Sequence, residues 1–592
     1  MIEKLYDFAD YSFVQNKVII RLRDRVCETP EELLRSALFR DMLTRFVREL
    51  ERKSSPLLQL FADSKIGDLT QLIDQLIFAF VHLEKLTLAQ TAKLMEKDGL
   101  FLNKPEQLYN LVESFYDYWR SFERFIVCDS EGDRLDKRPF RTFNSTIESL
   151  THLIRKVYRN IQESISGRHP AVYRQVAAGA EVAVIALPKP VYLPPAYRQK
   201  LEQLPIIRQI LLYPPLLLNP PMNKRTGQFV RVFQNPLEKA AIEKDEWLCY
   251  PAKVGELFIL IYFHSSFYEL GLSLANLFEI AEDHMLSRKP DAVYLYGVPP
   301  ESVQGLADMP TVFFDDEEND LLVAAVPRGD QYGYFGYLKK MILTLHNIKM
   351  LKLGRLPYHG AMVKIQLKGK KAANILLVGD TGAGKSESLE AFRSLAGDLI
   401  EDITIIADDM GSLRIDEQGR IIGYGTEIGA FVRLDDLSPG FAFGQLDRTI
   451  IMNPSQVNAR VVLPVTSFEN VVRGVPVDIV LYANNYEQVD EGHPILERFG
   501  DSQSALRVFR EGTAMSKGTT TSTGLVHTYF VNIFGAVQYR KQHDRLAERY
   551  FQAFFDAGLF VGQLRTRLGV NGWERLGCEE AAKAMLELIQ SR

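Results

Sequence analysis

The sequence is poor in cysteine, in long apolar runs and in net charge, and each scarcity closes off a class of function. Cys27, Cys128, Cys249 and Cys578 lie far apart with no C-x-x-C pair. That spacing builds neither a zinc ribbon nor a disulfide framework, so reduced, intracellular thiols are expected. Apolar runs such as Leu257–Phe263 are too short to span a bilayer, and the opening MIEKLYDFADYSF has no signal-peptide core. A net charge of -5 gives no global attraction for nucleic acid or anionic lipid. A cytoplasmic protein with no nucleic-acid or membrane partner is the expectation. No repeat period points to a solenoid.

What is present is an ordinary globular composition, 46% hydrophobic and 24% charged, over 592 residues. That length exceeds one core and suggests about three domains. Residues 1–175 read as an all-helical accessory domain, a place for partner binding or self-association. Thr29, Pro30 and Glu31 open a capped helix, and Asp68–Gln90, Glu106–Phe122 and Thr146–Ser164 carry apolar residues at helical spacing. The texture changes at EVAVIALPKPVYLPP, from Glu181. Residues 185–330 read as an α/β substrate-side domain. Its strands are expected at Leu257–Phe263, Ala292–Tyr296, Thr311–Phe314 and Leu321–Val326, with a helix over Ser273–Met285. Residues 331–592 read as a mixed-sheet α/β nucleotide-binding catalytic domain.

That last segment contains the one stretch with specific chemistry. Ile375–Val378 is a short apolar run, followed by Gly379-Asp380-Thr381-Gly382-Ala383-Gly384-Lys385-Ser386 and a helix-prone segment. This is a phosphate loop, a G-x-x-x-x-G-K-[ST] pattern between strand and helix. Its glycines let backbone N–H groups converge on phosphate oxygens at a helix N-terminus. Lys385 can neutralise β and γ phosphates, and the Ser386 hydroxyl can hold a divalent cation. About twenty residues on, an apolar strand ends in Asp408 and Asp409, a carboxylate pair suited to a hard cation. Upstream stand Tyr334-Phe335-Gly336-Tyr337-Leu338-Lys339-Lys340 and the histidine of Pro357-Tyr358-His359-Gly360.

The order of these segments resembles the ATP-dependent phosphoenolpyruvate carboxykinases. That family carries Y-A-G-E-M-K-K, a histidine, the phosphate loop and paired aspartates in sequence, matched here by YFGYLKK, PYHGAMV, GDTGAGKS and IADDMGS. Glu427–Arg433 resembles its E-G-G-C-Y-A-K, Asn458–Pro464 its N-T-R-V-S-Y-P, and Thr513-Ala514 with Gly518-Thr519 its T-A-K-x-A-G-T. The resemblance implies that Lys340, His359 and Asp409 hold Mn²⁺, while Lys385 and Ser386 serve ATP and Mg²⁺. It places Glu427 and Arg575 on the nucleotide side, Arg460 beside the transferring phosphoryl group, and Tyr334 near the organic acid. Asp408 joins Asp409 in the acidic pair. Arg225-Thr226-Gly227-Gln228-Phe229-Val230-Arg231 stands nearest to the family's T-G-R-S-P-K-D-K, so Arg225 or Arg231 would bind the oxaloacetate carboxylate. The implied activity converts oxaloacetate and ATP to phosphoenolpyruvate, CO2 and ADP.

The loop itself, GDTGAGKSES, is closer to HPr kinase, whose loop reads G-D-S-G-x-G-K-S-E and whose acidic strand reads A-D-D. A kinase acting on a protein serine or a small hydroxylated molecule is therefore a second expectation, and a nucleotide-sensing regulator without turnover a third. ATP, GTP and pyrophosphate share the loop chemistry and stay open as donors.

Overall fold

The computed structural model describes residues 9–22, 25–63, 68–128, 139–169, 176–225, 227–369, 371–380, 382–395, 399–436, 446–517 and 523–592. The chain is mixed α/β and divides into two compact units, residues 1–188 with 207–213 and residues 189–206 with 214–592. The segments 185–330 and 331–592, expected as separate domains, thus share the second unit apart from 185–188 and 207–213. Among the described residues no helix is long and apolar enough to cross a membrane.

The first unit corrects the expectation of an all-helical segment. The expected helices are present as Pro30–Leu34, Ala37–Arg52, Leu69–Leu83, Pro105–Arg120 and Pro139–Ser166, and Thr29 caps the first with a full capping box. Strands accompany them, however. Ala9–Val14 pairs antiparallel with Lys17–Leu22, which pairs in parallel with Glu123–Cys128, which pairs in parallel with Val182–Leu187. The strands KVIIRL and ERFIVC are each six residues long and β-branched at their centres. Their neighbours bury them, although the long helical periods dominate the local pattern.

The second unit holds a mixed sheet in the order Trp247–Val254, Leu257–His264, Ala292–Val298, Leu321–Pro327, Val312–Asp316, Val230–Val232. Every residue of the strands 257–264, 292–298 and 321–327 is buried, as continuous apolar runs require. The expected helix over Ser273–Met285 is instead a short helix Tyr268–Ser273, a 3₁₀ turn and the strand Glu279–Ile280. Glu279 and Ile280 pair with Lys253 and Ala252, so tertiary pairing overrides the helical spacing there.

The sheet that positions the site runs Val475–Pro476, Ile421–Gly425, Met410–Ile415, Leu356–Leu367, Ala372–Val378, Ile479–Asn484, Phe560–Arg565, Leu496–Arg498. Ala372–Val378, Ile479–Asn484 and Phe560–Arg565 are parallel, and Leu356–Leu367 joins them antiparallel. Helix Phe335–Lys352 is buried nearly all round, which explains its polar members Thr344, His346 and Asn347 as satisfied core residues. Helices Arg540–Asp556 and Leu576–Ser591 complete the second unit.

Candidate active site

Register brings the separated motifs together. Gly360 on strand Leu356–Leu367 pairs with Val378, the last residue before the glycine-rich loop. The Gly379 N–H accordingly donates to the His359 carbonyl at 3.0 Å. On the other edge of the same strand, Met362 pairs with Ala407 and His359 pairs with Met410. Asp408 and Asp409 fall at the break between these two pairings, and the Gly360 N–H donates to the Asp409 carbonyl at 2.9 Å. Sheet pairing alone places the histidine, the loop and the aspartates side by side.

The loop from Gly379 to Ser386 joins strand Ala372–Val378 to helix Lys385–Leu395. Gly382 and Gly384 adopt φ of 78° and 88°, and a Cβ on Gly384 would meet Thr566 Cβ at 2.7 Å, so only glycine fits there. Asn485 Nδ2 donates to the Gly382 carbonyl and Thr566 Oγ1 to the Ala383 carbonyl, each at 2.8 Å. Lys385, 7% exposed, folds back to donate from Nζ to the carbonyls of Gly379 at 2.7 Å and Asp380 at 2.9 Å. Thr381 lies outside the described residues, as does the side chain of Ser386.

His359 is 2% exposed and tightly held. Its Nδ1 lies 2.6 Å from the Val531 carbonyl, an acceptor only, so Nδ1 carries a proton. Its Nε2 therefore faces Asp409 Oδ1 at 3.1 Å, with Asp380 Oδ1 at 3.9 Å. A lone pair cannot rest that close to a carboxylate unless a second proton or a cation stands between them. The other Asp409 oxygen accepts from Lys339 Nζ at 2.9 Å, and Lys339 also reaches Glu427 Oε1 at 3.1 Å. Burial works against the Lys339 ammonium, but Asp409, Glu427 and Asp408 outweigh it and hold the group above the ordinary lysine range. Burial likewise opposes the Asp409 carboxylate, and Lys339 with His359 still keeps it well below the usual range. Glu427 responds the other way: burial pushes its carboxyl up to about 8 despite Lys339. Burial also raises Asp408, with Lys339 opposing and Asp409 reinforcing.

Two phenyl rings organise the positive charges. Phe534 faces His359 with centroids 5.8 Å apart, and it lies beneath Lys340 Nζ at 4.9 Å and the Arg225 guanidinium at 5.8 Å. Phe431 lies beneath Lys339 Nζ at 5.9 Å and Arg460 at 5.4 Å, and it meets the Tyr334 ring at 6.0 Å. Burial and then the neighbouring Arg225 bring Lys340 down to about 8. Burial raises the Tyr334 phenol, while Arg460 and Arg225 pull it back, which puts all three groups in one electrostatic neighbourhood. Arg460 Nε has no hydrogen-bond partner among the described residues.

The structure leaves two of the expected residues elsewhere. Arg231 pairs with Asp315 at 3.6 Å and Glu317 at 3.4 Å and lies over Tyr539. Arg575 is 93% exposed and pairs with Glu579 one helical turn on. Lys339, Phe431, Phe534, Val531 and Thr566 complete the arrangement without having stood out in the sequence. Adjacent lysines on a helix point about 100° apart, so Lys339 and Lys340 necessarily serve different neighbours. Phe431 lies within the Glu427–Arg433 segment, and the signal for Phe534, Val531 and Thr566 lies only in the fold.

A backbone feature singles out the segment behind the histidine. Phe530, Val531 and Asn532 take φ of 44°, 51° and 63° in succession. A β-branched residue in the left-handed region is a true outlier, and such conformations persist where surrounding structure over-determines them. Here that turn presents the Val531 carbonyl to His359. Phe534 follows, its own carbonyl accepting from Asn347 Nδ2 at 3.0 Å.

Among the described residues no group of three or more His, Cys, Asp or Glu side chains could by itself hold a metal ion. A cation at His359 and Asp409 would meet one imidazole nitrogen and one carboxylate oxygen; the lysine at bonding distance from Asp409 is Lys339, whereas Lys340 Nζ, expected as a third ligand, lies over the Phe534 ring. The fixed His359 tautomer, which leaves Nε2 to ligate, fits such a role. The chain matches no model of a known protein family, and no curated protein sequence matches it.

Proposed function

We propose that this chain is a carboxykinase-type phosphotransferase that converts oxaloacetate and ATP to phosphoenolpyruvate, CO2 and ADP. One observation carries the reading: His359 Nε2 and Asp409 Oδ1 converge at 3.1 Å beside the glycine-rich loop, with Lys340, Arg225, Tyr334 and Arg460 gathered around two phenyl rings. A simple kinase has no need of so much buried positive charge beyond its phosphate loop, whereas a dicarboxylate acceptor does.

Arg225 and Tyr334 would bind the carboxylates of the organic acid. Lys385 would leave the Gly379 and Asp380 carbonyls for the β and γ phosphates. Cleavage of the C–C bond releases CO2 and leaves its electron pair on the keto oxygen. That oxygen attacks the γ-phosphorus, and ADP departs with the P–O electrons. Arg460 would stabilise the charge on the transferring group. His359, Asp409 and Lys340 would hold Mn²⁺, and the loop with Ser386 would hold Mg²⁺ on the nucleotide. Bound there, the ions supply Lewis-acid stabilisation of developing negative charge.

The test is phosphoenolpyruvate formation from oxaloacetate with ATP, Mn²⁺ and Mg²⁺, comparing the native chain with His359→Ala and Lys385→Ala. Turnover lost in both variants supports the reading. Absence of turnover with ATP, GTP and pyrophosphate, while ATP still binds, overturns it.

Asp408 favours a second reading, an HPr-kinase-like transfer to a protein serine or a small hydroxylated substrate. Its raised carboxyl, beside Asp409 and within the field of Lys385, could accept the acceptor hydroxyl's proton. ATP consumption that depends on Asp408 but not on Arg225 would select it. ATP binding without turnover on any acceptor would leave a nucleotide-sensing regulator.

A further inference from the structure

Within the first unit the helices and the edge of the small sheet line a partly open apolar pocket with a cavity volume of about 160 Å³. Its walls include Phe39 and Met42 from helix Ala37–Arg52, Phe80 from Leu69–Leu83, Val112 and Phe115 from Pro105–Arg120, and Ile154 from Pro139–Ser166. Phe39 meets Phe115 edge-on at 5.5 Å and Phe80 at 6.5 Å, so aromatic edges frame the space.

Four polar side chains of the wall, those of Trp119, Tyr158, Ser36 and Arg25, are engaged with protein groups. Trp119 Nε1 donates to the Ala178 carbonyl at 2.6 Å, and the Tyr158 hydroxyl donates to Glu113 Oε2 at 2.6 Å. Ser36 Oγ donates to the Leu33 carbonyl at 2.8 Å, and Arg25 is paired with Glu32 at 2.8 Å. A ligand carboxylate would find its nearest cation already neutralised. An uncharged hydrocarbon surface, in contrast, would regain the dispersion contacts that the lining side chains lack. Cavities of about 150 Å³ lined by Leu, Ile and Phe stay dry and take up benzene. Native interiors are close-packed, with few voids larger than a water molecule.

We infer that this cavity is a binding site for an uncharged apolar molecule between benzene and naphthalene in size, held by shape and dispersion alone. The full chain is examined with toluene, naphthalene and benzoate, by thermal unfolding and by saturation-transfer NMR on the free ligand. Toluene and naphthalene should raise Tm by roughly 2 °C or more and show saturation transfer, and benzoate should do neither. Val112→Phe and Met42→Phe each place a ring in the cavity and should abolish both signals. If one of them unfolds, the other decides. No signal from the neutral ligands, equal signal in a folded cavity-filling variant, or binding of benzoate as strong as toluene would overturn the inference.

Discussion

His359 Nε2 stands 3.1 Å from Asp409 Oδ1 while the Val531 carbonyl fixes the proton on Nδ1. The approach is favourable only with positive charge between the two atoms. If that charge is a divalent cation, its affinity depends on both partners. His359→Ala and Asp409→Asn should each weaken Mn²⁺ binding by roughly 10- to 100-fold, read by paramagnetic resonance of free Mn²⁺. Unchanged binding in both variants would place the cation elsewhere.

Lys339 lies between the half-buried Asp409 and the buried Glu427, and is itself 1% exposed. Removing it takes away the strongest favourable charge beside Asp409 and leaves His359 as its remaining hydrogen-bond partner. Lys339→Met should cost about 3–5 kcal/mol in chemical denaturation. Adding Glu427→Gln to that variant should recover part of the loss in alkaline buffer, where the Glu427 carboxyl, pushed up to about 8 by burial, ionises and would otherwise stand uncompensated. Strict additivity of the two substitutions would show that the pair is not coupled.

Gly384 faces Thr566, whose hydroxyl is bonded to the preceding carbonyl. Gly384→Ala therefore meets both a steric and a conformational obstacle, with Cβ 2.7 Å from Thr566 Cβ and φ at 88°. ATP affinity should fall at least tenfold, with a stability loss of about 1–2 kcal/mol. Thr566→Gly in the same chain should restore only part of the affinity, since it removes the clashing Cβ, Oγ1 and Cγ2 and leaves φ unchanged. Native ATP affinity in Gly384→Ala, measured by calorimetric titration, would remove the loop from nucleotide binding.

The parts of this arrangement that were legible in the sequence are those fixed by local pattern. Ile375–Val378 followed by the glycines had to be a strand running into a loop, and the buried runs at 257–264, 292–298 and 321–327 had to be strands. His359 and Asp409 could be singled out by their order around the loop, although their closeness depends on the pairing of His359 with Met410. Phe534 had no such signal, because its role depends on packing beneath Arg225 and Lys340, residues distant in sequence. The strands of the first unit were hidden for the opposite reason. Lys17–Leu22 and Glu123–Cys128 are too short to compete with helical periods two and three times their length. Arg231 resembled Arg225 in the sequence, and only the acids around it in the fold separate the two.

His346 and His543 are buried, and burial lowers each to about 4 against the opposing pull of Asn347 and Asp544 respectively. In the unfolded chain both titrate near pH 6.5. Between about pH 6.5 and pH 4 the unfolded chain therefore binds protons that the folded chain refuses. Stability rises with pH across that window and is lost as pH falls through it, by at most about 3 kcal/mol for each histidine. His346 lies against Asn347 Oδ1 at 3.0 Å, and His543 Nδ1 against the Tyr529 hydroxyl at 2.9 Å. Replacing both by Gln should lower Tm at neutral pH, through lost packing, yet flatten its decline from pH 6.5 to 4. Calorimetric Tm values across that range decide the matter. A double variant whose Tm falls as steeply as that of the native chain would assign the acid sensitivity to the carboxylates paired with Lys339 instead.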